Sequence, residues 1–344
     1  MDRPQPILLF ILTGFLGAGK TTLLNKLLKL PSAADTAVVV NEFGEVSIDH
    51  LLVEQAADGM IELGGGCLCC TVRGALVDTL LLIAERDKRP RRVIIETTGL
   101  AEPVPILQSV IAHPELSRLY RIDCVVTVVD AVNGPSTLDE FEEARSQVAV
   151  ADRIVMTKAD LALEEDRQAL LEKLAALNPG AELLDNRRPA SLEDLMRSAL
   201  DRTRLPGSGA DHRHDHAAHN HDQFHSITVT HDQPIPLAAV ENFLDLLTTQ
   251  QGDHILRIKG LVETAEHPDR PLLIQGAQKL LHRPERLAGW PRGERGTRIV
   301  VIGRGLDTDY IRRIFAAFAG QAAVDTPDRG ALEDNPLAIP GLRF

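Results

Sequence analysis

Short apolar runs recur along the first part of the chain, and stretches with a helical spacing of apolar residues lie between them. The runs predict strands at Ile7–Leu12, Ala37–Val40, Val93–Ile95, Cys124–Val129 and Arg153–Met156. The intervening patterns predict helices over Thr21–Leu30, Gly74–Arg86, Val104–Ala112 and Leu163–Leu177. Strands that are apolar throughout are typical of a parallel sheet with helices on both faces. We therefore predict a doubly wound, mostly parallel α/β domain over residues 1–204.

The pattern changes after residue 204. Residues 205–225 are rich in Pro, Gly, Ser and His, which predicts a flexible linker without a core. Beyond it the pattern predicts, in chain order, Ser226–Thr230 (β), Leu237–Leu247 (α), Ile255–Lys259 (β), Pro271–Gln275 (β), Arg298–Ile302 (β) and Thr308–Phe318 (α). This order predicts a second, smaller α+β domain on an antiparallel sheet over residues 226–320, followed by an irregular tail over residues 321–344.

Composition argues against two classes of partner and favours one cellular compartment. The chain of 344 residues has a net charge of −12 and 3% aromatic residues, and its basic residues do not cluster, so a nucleic-acid-binding surface is not expected. The run Ile7–Leu12 is shorter than the ~20 apolar residues that span a membrane, and we expect no membrane partner. Only four cysteines, three of them within residues 67–70, favour a reducing, cytoplasmic location.

Residues 14–21 read Gly-Phe-Leu-Gly-Ala-Gly-Lys-Thr between a predicted strand and a predicted helix. This is the G-x-x-x-x-G-K-[ST] pattern, in which backbone N–H groups surround phosphates, the lysine reaches the β- and γ-phosphates, and the final hydroxyl ligates Mg²⁺. The motif predicts that the doubly wound α/β domain is of the P-loop NTPase kind. The residues predicted to bind the nucleotide here are Gly14, Gly17, Ala18, Gly19, Lys20, Thr21 and Thr22.

The segment Thr157-Lys158-Ala159-Asp160 is predicted to bind the base of the nucleotide. It follows a predicted strand and is similar to the guanine-binding N-K-x-D element. In that element the Asp accepts hydrogen bonds from guanine N1–H and the N2 amine, and the Lys stem packs along the ring. Thr157, Lys158 and Asp160 therefore favour guanine over adenine, although Thr157 replaces the Asn.

Two segments are predicted to sense the γ-phosphate. Gly99, after Glu96-Thr97-Thr98, offers its N–H to that phosphate, and Glu96 holds Mg²⁺ directly or through water. Asn41-Glu42-Phe43-Gly44-Glu45, after the second predicted strand, is the candidate first switch, with either Glu42 or Asp49 near the metal and the attacking water. We take Lys20, Glu42 and Glu96 as the residues that serve hydrolysis. No arginine finger or catalytic Gln is evident in these segments, which predicts slow unaided turnover on the order of 10⁻⁴ to 10⁻² s⁻¹.

The segment Gly64-Gly65-Gly66-Cys67-Leu68-Cys69-Cys70 lies between the two switches. Cys67, Cys69 and Cys70 can present two or three thiolates to one soft cation such as Zn²⁺ or Cu(I), and Glu45 could complete a tetrahedron. A structural thiol cluster or a redox pair remains an alternative. Cys124, inside an apolar strand, is predicted to be an inert core residue.

Half of the twelve histidines lie in the predicted linker: His212, His214, His216, His219, His221 and His225. Neutral imidazoles at this density bind divalent metals loosely. His212, His214, His216, His219 and His221 are the predicted secondary metal site, and a solvated polar linker is the alternative.

Taken in order, several motifs carry a resemblance to a known family. They are G-F-L-G-A-G-K-T-T-L-L, N-E-F-G-E, G-G-G-C-L-C-C, E-T-T-G-L-A-E-P, V-V-D-A, T-K-A-D and, beyond the linker, L-R-I-K-G, L-L-I-Q-G-A-Q and I-V-V-I-G-R. Together the motifs resemble the CobW-type metal-handling GTPases, relatives of the UreG and HypB nickel-insertion GTPases. Two departures are Val40, where some relatives carry an acidic residue, and Thr157.

The resemblance implies a GTP- and Mg²⁺-dependent GTPase whose Cys67, Cys69 and Cys70 bind a transition metal, usually zinc, with cobalt or nickel as other cargoes. The metal would pass to a client metalloprotein, and we expect a monomer or weak homodimer. Three alternatives remain open: a GTPase with a fixed structural zinc, a metal buffer stabilised by nucleotide, and an ATP-dependent inserter of cobalt in cobalamin biosynthesis.

Overall fold

A computed structural model describes residues 5–41, 60–62, 70–185, 187, 189–197, 224–291 and 295–320. The description below concerns these residues.

The first sheet is parallel throughout, as predicted. Its seven strands are β1 Ile7–Thr13, β2 Thr36–Asn41, β3 Met60–Glu62, β4 Arg92–Thr97, β5 Tyr120–Asp130, β6 Arg153–Thr157 and β7 Glu182–Asp185. They pair in the order β3-β2-β4-β1-β5-β6-β7, which places β1 at the centre. The carboxyl ends of β1, β4, β5 and β6 therefore meet at one edge, where ligands bind in open α/β sheets.

Helices cover both faces of this parallel sheet: α1 Lys20–Leu28, α2 Cys70–Ala84, α3 Val104–Ala112, α4 Leu116–Leu119, α5 Gly134–Glu140, α6 Glu142–Ala149, α7 Glu164–Leu177 and α8 Pro189–Met196. A 3₁₀ turn at Pro31–Ala33 follows α1. Leu9 and Ile11 of β1 pack with α2 and α3 on one face. Phe10 and Leu12 pack with α1 and α8 on the other. Burial on both faces explains why β1 is apolar at every position from Ile7 to Leu12.

The second sheet, here the C-terminal sheet, is antiparallel, which confirms the predicted α+β unit. Its strands are β8 Phe224–His231, β9 Ile255–Thr264, β10 His267–Ala277, β11 Leu280–Leu281, β12 Glu285–Arg286 and β13 Thr297–Arg304. They pair in the order β11-β10-β9-β13-β8, and β12 pairs with β10. The helices α9 Leu237–Gln251 and α10 Thr308–Phe318 cover one face. Phe243 and Phe315 meet there with ring centroids 5.2 Å apart.

The other face of the C-terminal sheet contacts the parallel-sheet unit around one carboxylate. Arg257 and Lys259 of β9 bond to Asp152 at 2.7 and 3.0 Å. The N–H of Val125 donates to the same carboxylate at 2.8 Å. The Asp152 side chain is only 10% exposed. Burial alone would raise its pKa, but Arg257, Lys259 and the Val125 N–H outweigh burial and lower it to about 2. The two units are therefore joined by a buried ionic cluster.

The prediction of a linker through residue 225 is wrong at its end. Strand β8 begins at Phe224, and both Phe224 and His225 pair with β13, opposite Arg304 and Gly303. Phe224 packs against a small apolar cluster at the contact between the two units. His225 was assigned to the linker because it continues the run of histidines, whereas its backbone belongs to the sheet.

Several short elements were not predicted: the strands β3, β7, β11 and β12 and the helices α4, α5, α6 and α8. The four helices have four to eight residues, fewer than the roughly 11 over which helical periodicity can be recognised, and the four strands have only two to four. Helix α2 begins at Cys70, four residues before its predicted start at Gly74.

The run Ile7–Leu12 is a buried strand, as predicted. Among the residues that the structure describes, no helix combines the length and apolar character needed to cross a membrane.

Candidate functional site

The phosphate loop connects β1 to α1 at the carboxyl edge of the parallel sheet. Gly14 adopts φ +143°, and a Cβ there would lie 2.3 Å from the carbonyl oxygen of Val128, so only glycine fits. Gly17 and Gly19 also have positive φ, at 72° and 94°. No side chain caps α1 at Gly19. The first N–H groups of the helix thus face the loop without a side-chain partner at the cap, an arrangement suited to binding an anion.

The side chain of Lys20 lies across the phosphate loop. The Nζ of Lys20, the first residue of α1, donates to the carbonyl oxygens of Gly14 and Phe15 at 2.9 and 3.4 Å. These bonds hold the ammonium group across the loop that would surround the phosphates. Ala18 is buried beneath the loop, and Thr22 is exposed in the first turn of α1.

Thr21 and Glu96 are brought together from positions far apart in the sequence. The hydroxyl of Thr21 donates to Oε1 of Glu96 at 2.7 Å. Glu96, near the end of β4, is only 5% exposed. A hydroxyl and a carboxylate beside a phosphate loop are hard oxygen donors of the kind that Mg²⁺ prefers. The pair therefore fits the predicted magnesium site.

The loop after β4 lies directly against the phosphate loop. A Cβ on Gly99 would be 2.6 Å from Cδ2 and 2.7 Å from Cα of Leu16, so the close approach requires glycine. The N–H of Ala101 donates to the carbonyl of Thr98 at 3.1 Å, which closes a turn around Gly99. Thr97 Oγ1 donates to Thr13 Oγ1 at 2.9 Å and ties the ends of β4 and β1 together. Gly99 is thus placed next to the residues that would hold the terminal phosphate.

The base motif is also anchored to the phosphate loop. The hydroxyl of Thr157, at the end of β6, donates to the carbonyl of Ala18 at 2.6 Å. The Nζ of Lys158 donates to the carbonyl of Gly17 at 3.0 Å. Thr157, the residue that departs from the N-K-x-D pattern, therefore still links the base motif to the loop. Asp160 is exposed two residues further on.

Asp130 belongs to this site and was given no role by the sequence analysis. Its Oδ2 accepts from Lys158 Nζ at 2.7 Å. Its carboxylate also accepts from the N–H groups of Val132 and Asn133 and from the Asn133 side chain. Burial raises the pKa of Asp130, but these hydrogen bonds outweigh it and leave the pKa below the ordinary value. Lys158 adopts φ +54°, and its two contacts hold that strained conformation.

Most of the predicted transition-metal ligands lie outside the described ranges: Glu45, Cys67, Cys69, His212, His214, His216, His219 and His221. Glu42 and Asp49 of the candidate first switch also lie outside them. Cys70 is the first residue of α2. Within the described ranges, no group of three or more His, Cys, Asp or Glu side chains is arranged to hold a metal ion. Cys124 is a fully buried core residue, as predicted, and burial raises the pKa of its thiol to about 12.

Two family models match the chain. The model described as "CobW/HypB/UreG, nucleotide-binding domain" matches residues 8–185. The model described as "Cobalamin synthesis protein cobW C-terminal domain" matches residues 224–319. The first match contains the phosphate loop, the Thr21–Glu96 pair and the base motif.

Individual relatives match over nearly the whole chain. The zinc chaperone YjiA of Escherichia coli (strain K12) is 37% identical over 336 residues, which cover 92% of this chain and 99% of that protein. The zinc chaperone CobW of a Sinorhizobium species is 31% identical over 354 residues, covering 89% of this chain and 96% of that protein. A crystal structure of the Zn(II)-bound YjiA GTPase from Escherichia coli matches with a TM-score of 0.65 at 31% identity, over 91% of this chain and 99% of that chain.

Proposed function

The chain belongs to the CobW/HypB/UreG family, and from that premise we propose that it is a GTP-hydrolysing metallochaperone that carries zinc to a client metalloprotein. The nucleotide-binding part of this proposal rests on one observation. Three motifs that are far apart in the sequence meet at one edge of the parallel sheet. Thr21 lies 2.7 Å from Glu96, and Thr157 and Lys158 bond to the loop at Ala18 and Gly17.

In this proposal each residue of the site has a separate task. The helix N-terminus and Lys20 bind and orient the phosphates, and the Gly99 N–H contacts the γ-phosphate. Thr21 and Glu96 would hold Mg²⁺, which when bound supplies positive charge to the phosphate oxygens. Lys158 and Asp160 select guanine, with Asp130 and Gly17 holding the lysine in place. Glu42 remains the proposed residue for positioning water.

Zinc is cargo in this scheme. Cys67, Cys69 and Cys70 supply the thiolates that Zn²⁺ favours, and Glu45 is the proposed fourth ligand. The segment containing His212–His221 is the proposed loose secondary site. Support comes from the relatives that are named zinc chaperones and span nearly this whole chain. Because the cysteines lie between the two switch segments in the sequence, GTP binding and hydrolysis would change the affinity for the metal and release it to the client.

The base preference is tested by Asp160→Asn. A carboxylate accepts two hydrogen bonds from guanine, whereas an amide offers one acceptor and one mismatched donor group. Hydrogen bonds to a charged group are worth about 1.5–3 kcal/mol, so GTP affinity should fall by about 10- to 150-fold. Binding of fluorescent GTP, competed by unlabelled GTP, ATP and XTP, measures the change.

Asp166→Asn is the matched control, since Asp166 is exposed in the first turn of α7. It should leave GTP affinity unchanged. Wild-type protein that prefers ATP, or an Asp160→Asn variant with unchanged GTP affinity, would contradict the guanine assignment.

A further inference from the structure

We propose that Gln147 is a positioning residue through which helix α6 makes GTP binding at Gly99 depend on the docking of the C-terminal sheet. The inference rests on the proposed function, because it assumes that Gly99 contacts the γ-phosphate. Gln147 lies outside the nucleotide-binding motifs, and its hydrogen bonds connect α6 to the Gly99 turn and to β5.

The first part of the link joins α6 to the γ-phosphate loop. Gln147 is only 1% exposed. Its Nε2 donates to the carbonyl oxygens of Gly99 and Ala101 at 3.1 and 3.0 Å. The main-chain carbonyl of Gln147 accepts from Thr127 Oγ1 of β5 at 2.6 Å. The side-chain amide therefore holds both sides of the Gly99 turn, and the main chain of the same residue is bonded to the central sheet.

The second part of the link joins α6 to the C-terminal sheet. Directly after the helix, the carbonyl of Val150 accepts from Arg257 Nη1 of β9 at 2.6 Å. Ala149, the last residue of α6, packs with Val300 and Ile302 of β13. At the other end of the helix, Glu142 pairs with Arg304 of β13. Both ends of α6 thus contact the C-terminal sheet, and its interior contacts the Gly99 turn.

Electrostatic interactions also connect the Gly99 loop, helix α6 and strand β13. Glu102 lies at the end of the Gly99 loop, where partial burial and the carboxylates of Glu142 and Glu143 raise its pKa, and Arg304 acts in the opposite direction. Arg304 therefore neutralises like charges contributed by both α6 and the loop. Undocking of the C-terminal sheet would leave this repulsion between α6 and the loop uncompensated.

This coupling should distinguish GTP from GDP. GDP lacks the γ-phosphate, so only GTP should gain from a Gly99 turn that Gln147 holds in place. A ligand that favours one arrangement of the turn must favour the docked sheet equally, because coupling between two sites is reciprocal. Typical couplings of this kind change an affinity by about 5- to 150-fold.

The test compares hydrogen exchange and nucleotide affinity in the full-length protein. With Mg²⁺ and a non-hydrolysable GTP analogue, amides of α6 and β13 should exchange at least about fivefold more slowly than with GDP. Gln147→Met keeps a similar shape without the N–H donors. It should abolish this difference and lower the ratio of GTP to GDP affinity by about fivefold or more, while GDP affinity stays unchanged.

Arg304→Gln tests the other end of the link without creating unpaired buried carbonyls at Gly99. It should weaken the nucleotide-dependent protection of both β13 and α6, and the loss should be smaller in α6 because the helix keeps its Gln147 contacts. Arg312→Gln is its control, because Arg312 pairs with Asp309 within α10, and it should behave as the wild type does.

GTP hydrolysis by the wild type is measured first and separates two kinds of failure. A wild type that does not bind or hydrolyse GTP overturns the proposed function, and this inference falls with it. Active wild type whose α6 and β13 exchange equally with both nucleotides overturns the inference alone. So does a Gln147→Met protein that retains the wild-type affinity ratio. If Gln147→Met fails to fold, an Arg304→Gln protein with wild-type protection of β13 has the same meaning.

Discussion

Replacing Lys20 by alanine is expected to lower the rate of GTP hydrolysis by about 10²- to 10³-fold, the usual loss when a preorganised group that stabilises transition-state charge is removed. The Nζ of Lys20 is held across the phosphate loop by the carbonyls of Gly14 and Phe15. Once phosphates occupy the loop, this ammonium group would neutralise negative charge on the β- and γ-phosphates. Phosphate release at saturating GTP measures the effect.

Lys26→Ala is the matched control, because Lys26 is exposed on the same helix α1, about 1.7 turns further on. It should hydrolyse GTP at the wild-type rate. A Lys20→Ala protein that also hydrolyses at the wild-type rate would show that turnover does not arise at this loop.

The second large effect is expected at the contact between the two sheets. Asp152→Asn removes the carboxylate that Arg257 and Lys259 share at 2.7 and 3.0 Å. Breaking a buried ion pair by removing one partner typically costs about 3–5 kcal/mol, since the remaining charges stay buried without compensation. The free energy of unfolding, from denaturant titration of the full chain, should fall by that amount.

The pH dependence of stability provides an independent readout. The folded-state pKa of Asp152 is about 2, below the ~3.9 of an unfolded aspartate. Its contribution to stability is therefore complete above about pH 4 and is lost as the pH falls towards about 2. Asp152→Asn should remove this part of the acid dependence.

Asp309→Asn serves as the control, because the Asp309–Arg312 pair is exposed on α10. This substitution should lower the free energy of unfolding by less than about 1 kcal/mol. Equal stabilities of the two variants would mean that Asp152 does not hold the units together.

Local patterns predicted the parts of the fold that depend on one segment at a time. Ile7–Leu12 was recognisable as a doubly covered strand because every position is apolar, and both of its faces are packed. The phosphate loop was recognisable because its glycines, lysine and threonine act within eight residues. Contacts between segments that are far apart in the sequence were harder to predict from such patterns. The hydrogen bond from Thr157 to Ala18 joins residues 139 positions apart, and the spacing of the motifs does not predict it.

Asp130 and Gln147 illustrate the same limit. Asp130 stood within V-V-D-A, a motif that carried the resemblance, yet its role follows only from the position of Lys158. Gln147 is one polar residue in a short helix, and nothing in its sequence neighbourhood separates it from Glu143 or Arg145. Its burial beside Gly99 results from the order of β1, β4 and β5 in the sheet. Asp152 likewise gains its partners from a strand more than a hundred residues away.

The central claim is that nucleotide controls the affinity for zinc. The most direct measurement is an anaerobic titration of Zn²⁺ against a chromophoric chelator, on reduced protein, with Mg-GDP or with Mg²⁺ and a non-hydrolysable GTP analogue. A deletion of His212–His221, which leaves β8 intact, removes the loose secondary site, and Cys124→Ala controls for the loss of a buried thiol. We predict that the two nucleotides change the affinity of one tight site by about 5- to 150-fold and that Cys69→Ala abolishes the change. Zinc affinity that is the same with both nucleotides would contradict the account.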